Sequence, residues 1–235
     1  MAKIGGLYVI IDPAACLGRD PVAVGLAALA GGATMLQWRD KQRDKGEQLA
    51  QARALYLLCQ EHDAVFVVND HADLALVLAS GGVPPSGPST LRPSSGQAGS
   101  GRGAIGVHVG QKDLPPADVR AIVPPYFVVG VSTNDVGEAL AAERAGASYV
   151  AVGDIFGTSA KAGTRPASPQ RLAQVKAAVR LPVIAIGGIT KENVGEVLAA
   201  GADGVAVISA VCAAPDPEAA ARELAQAIHV DIGDP

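Results

Sequence analysis

Eight short segments rich in Val and Ile, separated by Ala-rich stretches of helical length, constrain this chain more than any other feature. They are LYVIID (7–12), ATMLQWR (33–39), AVFVVN (64–69), AIGVHVG (104–110), YFVVGVS (126–132), SYVAVG (148–153), PVIAIG (182–187) and DGVAVIS (203–209). Near-continuous apolar runs of this length suit parallel strands buried on both faces. Stretches such as 45–62, 71–79, 135–145, 168–180, 191–200 and 216–229 read as helices between them. Strict alternation is the pattern of a parallel α/β fold. Eight units predict a closed (β/α)8 barrel, a TIM barrel, in which every strand has two neighbours. The open doubly wound alternative needs a Gly-rich dinucleotide turn after the first strand, and IIDPAACLGRD contains no GxGxxG. Three joints, LAGGATMLQWR, ERAGASYVAVG and LAAGADGVAVIS, repeat one design in which a helix stops on Gly and a strand follows. A length of 235 residues, 49% of them hydrophobic, suits one such barrel. We expect a single domain over 1–229 and a short loose tail at 230–235.

One region breaks the rhythm. Residues 80–103 (SGGVPPSGPSTLRPSSGQAGSGRG) are dense in Pro, Gly and Ser and have almost nothing to bury. That composition predicts a mobile insertion. Its place before the fourth strand puts it on the N-terminal rim of the barrel, the face away from chemistry.

A net charge of −4 leaves no basic excess to neutralise nucleic-acid phosphates, and 3% aromatic residues offer no platform for stacked bases. The three cysteines, Cys16, Cys59 and Cys212, are far apart and odd in number, so neither a disulfide framework nor a zinc site is expected. No run approaches the roughly 18 apolar residues that span a bilayer, and MAKIGGLYVIID is too short an apolar stretch for a signal peptide. The expectation is a soluble cytoplasmic protein with small-molecule partners, no nucleic acid and no membrane. Assembly into a homo-oligomer is left open.

The chemistry of such a barrel lies at the C-terminal ends of its strands. In LQWRDK, alternation turns Gln37, Arg39 and Lys41 to one face and Trp38 to the helical layer. Asn69 and Asp70 follow the third strand, and Gln111 and Asp113 the fourth. Ser132 and Thr133 end the fifth, and GDIFGTSAKAGT, GGI and Ile208–Ser209 end the last three. The set suits a polyanion and a metal. Arg39 offers a planar fork for phosphate oxygens and Lys41 a mobile charge. Asp70 and Asp113 supply hard oxygens of the kind that share Mg²⁺ with substrate phosphates. A helix starting near Thr190, after AIGGI, would present N–H groups to a second phosphate. Each residue also has a plainer reading. Arg39 and Asp40 could be a surface ion pair, Asp70 a helix cap, Gln111 and Asp113 turn residues, His108 a packed histidine and Lys161 a solvated one.

LQWRDK, VVNDHADLAL, GVHVGQKDLP, GVSTN, YVAVGDIFGTSAK, VIAIGGI and AGADGVAVISA occur in the order found in the thiamine-phosphate synthase family, and over 7–229, the insertion aside, the chain resembles that family. The resemblance implies a (β/α)8 enzyme that joins a hydroxymethylpyrimidine diphosphate to a thiazole phosphate, plain or carboxylated, and releases pyrophosphate. It implies a pyrimidine-diphosphate grip from the 37–41 stretch (Gln37, Trp38, Arg39, Asp40, Lys41) with Asn69, Ser132 and Lys161. Of these, Arg39, Lys41, Ser132 and Lys161 would take part in catalysis. It also implies Mg²⁺ on Asp70 and Asp113, and a thiazole-phosphate site at Thr158, Ser159, Ala160, Gly188, Ile208 and Ser209. The implied mechanism is dissociative, with pyrophosphate leaving before the thiazole nitrogen attacks. The sequence departs from the family pattern at Ala160, which lacks an expected hydroxyl, at Asp154 in place of a Pro, and at Asn134 in place of a frequent His. Two rival expectations are a thiazole-tautomerase-like barrel, which would rely on a histidine after the fifth strand, and a ligand-binding barrel without turnover.

Overall fold

The eight Val- and Ile-rich segments are all strands, and each pairs in parallel with the next until the last closes on the first. The computed structural model describes residues 4–81, 103–157 and 165–232. The 80–103 insertion, apart from its ends, lies outside the described residues. In chain order the elements are β1 (Gly6–Ile11), α1 (Pro21–Ala30), β2 (Met35–Trp38), α2 (Lys45–Glu61), β3 (Val65–Asn69) and α3 (Ala72–Ala79). They continue with β4 (Ile105–Val109), α4 (Pro116–Ile122), β5 (Val128–Thr133), α5 (Val136–Arg144), β6 (Tyr149–Val152) and α6 (Pro169–Ala178). The last are β7 (Val183–Ile186), α7 (Val194–Ala199), β8 (Gly204–Val207), the single turn α8 (Ser209–Cys212) and α9 (Pro217–Ile232). Closure is made by Leu7, Tyr8 and Val9 of β1 pairing with Val205, Ala206 and Val207 of β8.

Local chemistry sets the helix boundaries. Asp20 accepts a hydrogen bond from the Val22 N–H at 3.1 Å ahead of α1, and Asp135 does the same for the Glu138 N–H at 2.9 Å ahead of α5. Pro21 and Pro169 occupy first-turn positions, where a missing N–H costs nothing. The three repeated joints stop on Gly32, Gly146 and Gly201, all with left-handed φ. One expected start moves: α7 begins at Val194, not near Thr190. Asn193 Oδ1 takes the Thr190 N–H at 2.8 Å, which braces the turn and removes that donor from any anion.

Strand alternation divides the apolar residues into two sets. Leu7, Val9 and Ile11 of β1, Leu36 and Trp38 of β2, and Phe66 and Val68 of β3 face outward into the layer beneath the helices. Tyr8, Ile10, Met35, Val65, Val67, Tyr149 and Ile184 fill the barrel itself. Barrel interiors are ordinarily packed with branched aliphatic side chains, so the two tyrosines are unusual occupants. The three cysteines are buried and carry no disulfide.

Candidate active site

A cavity of about 760 Å³ opens at the C-terminal end of the barrel, and residues following seven of the eight strands line it. From the end of β2 come Arg39 and Lys41, and from the end of β3 Asn69 and Asp70. Gln111 and Asp113 reach it from the β4 loop, and Ser132 and Thr133 from β5. Gly188, Ile208 and Ser209 reach it after β7 and β8. The interior half of LQWRDK therefore reaches the mouth at Arg39 and Lys41, as alternation predicts.

Arg39 is held at both ends. Its backbone N–H donates to Ile11 O at 3.0 Å, and its guanidinium pairs with Asp12, whose other oxygen takes the Ala14 N–H at 3.0 Å. The Arg39 side chain is 12% exposed, so the fork is largely desolvated yet open to the cavity. The plainer reading of Arg39 as a partner of Asp40 does not hold. Lys41 pairs with Asp70. Asp70 is no helix cap either, because α3 is preceded by His71 and has no side-chain cap. Its φ of +61° lies in the left-handed region, which Asp tolerates better than most residues. Its N–H donates to His108 O at 2.8 Å, and the resulting turn leaves the carboxylate at the mouth. Asp113 keeps part of its plainer role, since Oδ2 accepts the Gly110 N–H at 2.7 Å. Gln111 Nε2 donates to Ser132 O at 2.7 Å and ties the ends of β4 and β5 together.

Between the β6 and β7 loops the fit is backbone to backbone. A Cβ on Gly188, whose φ is +64°, would stand 2.3 Å from Gly157 O. Only Gly allows the β6 and β7 loops to approach so closely.

Three of the expected contact residues do not line the cavity. Gln37 is 2% exposed and does not line the cavity; its amide donates to Tyr8 Oη at 2.5 Å, one layer below the floor. Trp38 points outward, as alternation requires, and donates from Nε1 to Gln48 Oε1 at 3.1 Å. Asp40 is turned back into its own loop, where it accepts the Gln42 N–H at 2.9 Å and the Arg43 Nε–H at 2.5 Å. Burial raises the Asp40 pKa, but the Gln42 N–H and the Arg43 side chain outweigh it and hold the carboxyl below its usual value. A carboxyl depressed by folding stabilises the protein above its unfolded pKa, and that contribution is lost as pH falls through the folded value. Asp40→Asn should therefore lower the urea midpoint at pH 7, at a cost of about 1–3 kcal/mol. The gap from the parent should close on acidification below about pH 4, the ordinary aspartate range. A gap independent of pH would mean that the charge contributes nothing.

Two participants escaped the sequence reading. His108 is packed, as its plainer reading held, yet it also lines the cavity and bonds Ser132 Oγ at 2.8 Å. Arg165 lines the mouth and pairs with Glu138 at 2.7 Å. Asn134 proves to be a brace. Its amide N–H groups are directed at Gly153 O (3.1 Å) and Arg165 O (3.0 Å), the two flanks of the β6 loop, and Arg171 donates to its Oδ1 at 2.9 Å. Asp154 is bonded through its backbone to the same flank, its N–H to Arg165 O at 3.0 Å. Thr158, Ser159, Ala160 and Lys161 lie outside the described residues.

Comparison with known proteins gives one answer. The family model described as thiamine monophosphate synthase matches residues 7–85 and 95–211. The thiamine-phosphate synthase of Methanospirillum hungatei is 41% identical over 221 residues, which cover 94% of this chain and 96% of that protein. That of Laribacter hongkongensis is 43% identical over 220 residues, 93% of this chain and 92% of the relative. Among solved structures, the thiamine phosphate pyrophosphorylase from Pyrococcus furiosus superposes with a TM-score of 0.80 at 35% identity, covering 97% of both chains.

Proposed function

The chain belongs to the thiamine monophosphate synthase family, a family of transferases, and from that premise we propose how its cavity performs the transfer. The substrates are a hydroxymethylpyrimidine diphosphate and a thiazole phosphate, plain or carboxylated, and the products are thiamine monophosphate and pyrophosphate. The observation that carries the reading is the convergence of Arg39, Lys41, Asp70, Asp113 and Ser132 on one cavity at the catalytic end of the barrel. Arg39 and Lys41, with Asn69, Ser132 and Lys161, hold the diphosphate. Gln37 acts from beneath the floor. Thr158, Ser159, Ala160, Gly188, Ile208 and Ser209 take the thiazole phosphate.

Asp70 and Asp113 are the residues that would hold Mg²⁺. No group of three or more His, Cys, Asp or Glu side chains among the described residues is arranged for a metal. Two carboxylates lining one cavity suit an ion that keeps several waters and shares phosphate oxygens with the substrate. When bound, the ion supplies positive charge to the departing pyrophosphate.

In the dissociative reading, the C–O bond to the diphosphate breaks and pyrophosphate leaves with the electron pair. The thiazole nitrogen then donates its lone pair to the pyrimidinylmethyl cation. With the plain thiazole no proton has to move, so the side chains act by stabilising developing negative charge, usually the largest catalytic contribution. A tautomerase-like role would need a titrating group at 134, whereas the Asn134 amide braces the β6 loop. No helix among the described residues is long and apolar enough to cross a membrane, which is compatible with a cytoplasmic enzyme.

Pyrophosphate release, followed with both substrates and Mg²⁺ present, tests the proposal. Release that requires all three supports it. Tight substrate binding without release would replace it with the ligand-binding alternative.

A further inference from the structure

Five side chains from five different strands form one buried hydrogen-bonded chain across the barrel: Gln37 Nε2 to Tyr8 Oη (2.5 Å), Tyr8 Oη to Tyr149 Oη (3.1 Å), Tyr149 Oη to His108 Nδ1 (3.0 Å), and His108 Nε2 to Ser132 Oγ (2.8 Å). Both phenols are essentially without solvent, Tyr8 at 1% and Tyr149 at 0% exposure. Their rings meet edge to face, with centroids 6.1 Å apart. The β5 sequence makes room for the crossing: a Cβ on Gly130 would stand 2.1 Å from Tyr149 Cζ. A buried hydroxyl without a partner costs about 1–3 kcal/mol, and this interior avoids the cost only by linking its polar groups end to end. One end of the chain is sealed beneath the cavity and the other, Ser132, lines it.

Hydrogen counting gives the chain a direction. Burial pushes both phenols up, so each keeps its proton and has one O–H to donate. Tyr8 Oη accepts from Gln37 Nε2, and among the described residues Tyr149 Oη is the acceptor left for its own hydrogen. The Tyr149 hydrogen then goes to His108 Nδ1, which must be the unprotonated nitrogen of a neutral ring. His108 Nε2–H donates to Ser132 Oγ. The Ser132 hydroxyl hydrogen is left to point into the cavity. The opposite order would turn that hydrogen back towards the imidazole and present oxygen lone pairs to an anion held by Arg39 and Lys41. The sealed end and the charged end thus select the same polarity.

We infer that Tyr149, backed by Tyr8 and Gln37, is a positioning residue that fixes His108 as its Nε2–H tautomer and thereby holds the Ser132 hydroxyl as a hydrogen-bond donor to the leaving diphosphate. The inference rests on the diphosphate reading of the cavity. It adds that the donor is set from beneath, by side chains that do not line the cavity.

The test has one arm that needs no turnover. In the ¹⁵N-histidine NMR spectrum of the whole protein, with His108 assigned by comparison with His108→Gln, the ring should read as Nε2–H with an accepting Nδ1. An Nδ1–H ring overturns the inference outright, whatever any variant does. In the kinetic arm, Tyr149→Phe should lower kcat about tenfold or more, a fraction of what loss of a transition-state donor costs. KM for the diphosphate should change much less. In a Ser132→Ala background, Tyr149→Phe should have no further effect on kcat, because the group it positions is gone. Additive losses would reduce Tyr149 to packing and sink the positioning role. Failure of the parent protein to release pyrophosphate would remove the diphosphate reading instead, and it leaves the tautomer measurement intact.

Discussion

Arg39→Ala should lower pyrophosphate release by about a hundredfold to a thousandfold, the loss that follows removal of one preorganised donor in a water-poor site. The guanidinium stands on the cavity wall, 12% exposed, and Asp12 aligns it before any substrate arrives. A charge that needs no reorientation during the reaction contributes most as the leaving group becomes more negative. Arg39→Lys should recover little, because an ammonium offers a point charge rather than a fork and cannot pair with Asp12 and two phosphate oxygens together. The rival explanation for a dead variant is lost stability, since truncation strands Asp12, itself 8% exposed, without its cation. Asp12→Asn separates the two. Combined with Arg39→Ala, it should restore the urea midpoint while turnover stays low. Turnover of Arg39→Ala within threefold of the parent would exclude Arg39 from the leaving-group site.

That residue was legible in the sequence because strand alternation is a local rule. It assigns faces, and it separated Arg39 from Trp38 correctly. Depth is a different matter. Gln37 shares the face of Arg39 but sits two residues, about 6.6 Å, further down the strand. There the barrel is closed by Tyr8, which comes from β1. No pattern within LQWRDK reveals that lid. The setting of Asp40 was not legible for the opposite reason: its partners, Gln42 and Arg43, are sequence neighbours, and the tight loop that binds them looks from sequence like exposed polar chain. His108 read from sequence as a packed histidine, yet its role depends on Ser132 and on Tyr149, which are 24 and 41 residues away. The closed barrel itself was readable because every unit repeats one αβ joint. Arg165 and Asn134 were not, since nothing in the spacing says that the chain after the β6 loop returns to the mouth and is pinned there by an amide.

Asp70→Asn should raise the Mg²⁺ concentration for half-maximal turnover about tenfold to a hundredfold, and Asp113→Asn should raise it less. The ranking follows from what each carboxylate already does. Asp113 keeps Oδ2 on the Gly110 N–H, so a good part of its charge is directed at its own turn. Among the described residues the Asp70 carboxylate pairs with Lys41, a side chain 53% exposed and free to swing onto the diphosphate. An exposed lysine pair is worth little, about 0–1 kcal/mol, so Lys41 does not compete strongly for a carboxylate that a divalent cation needs. Lys41→Met should therefore weaken the diphosphate (KM rises) while leaving the Mg²⁺ requirement unchanged or slightly lower, the reverse of the Asp70→Asn pattern. Mn²⁺ binding to the resting enzyme, followed by paramagnetic relaxation of water, gives a readout apart from turnover and should weaken in Asp70→Asn. Equal Mg²⁺ titrations for the parent and Asp70→Asn would remove Asp70 from the metal site, and its left-handed turn would then have to be explained by the Lys41 pair alone.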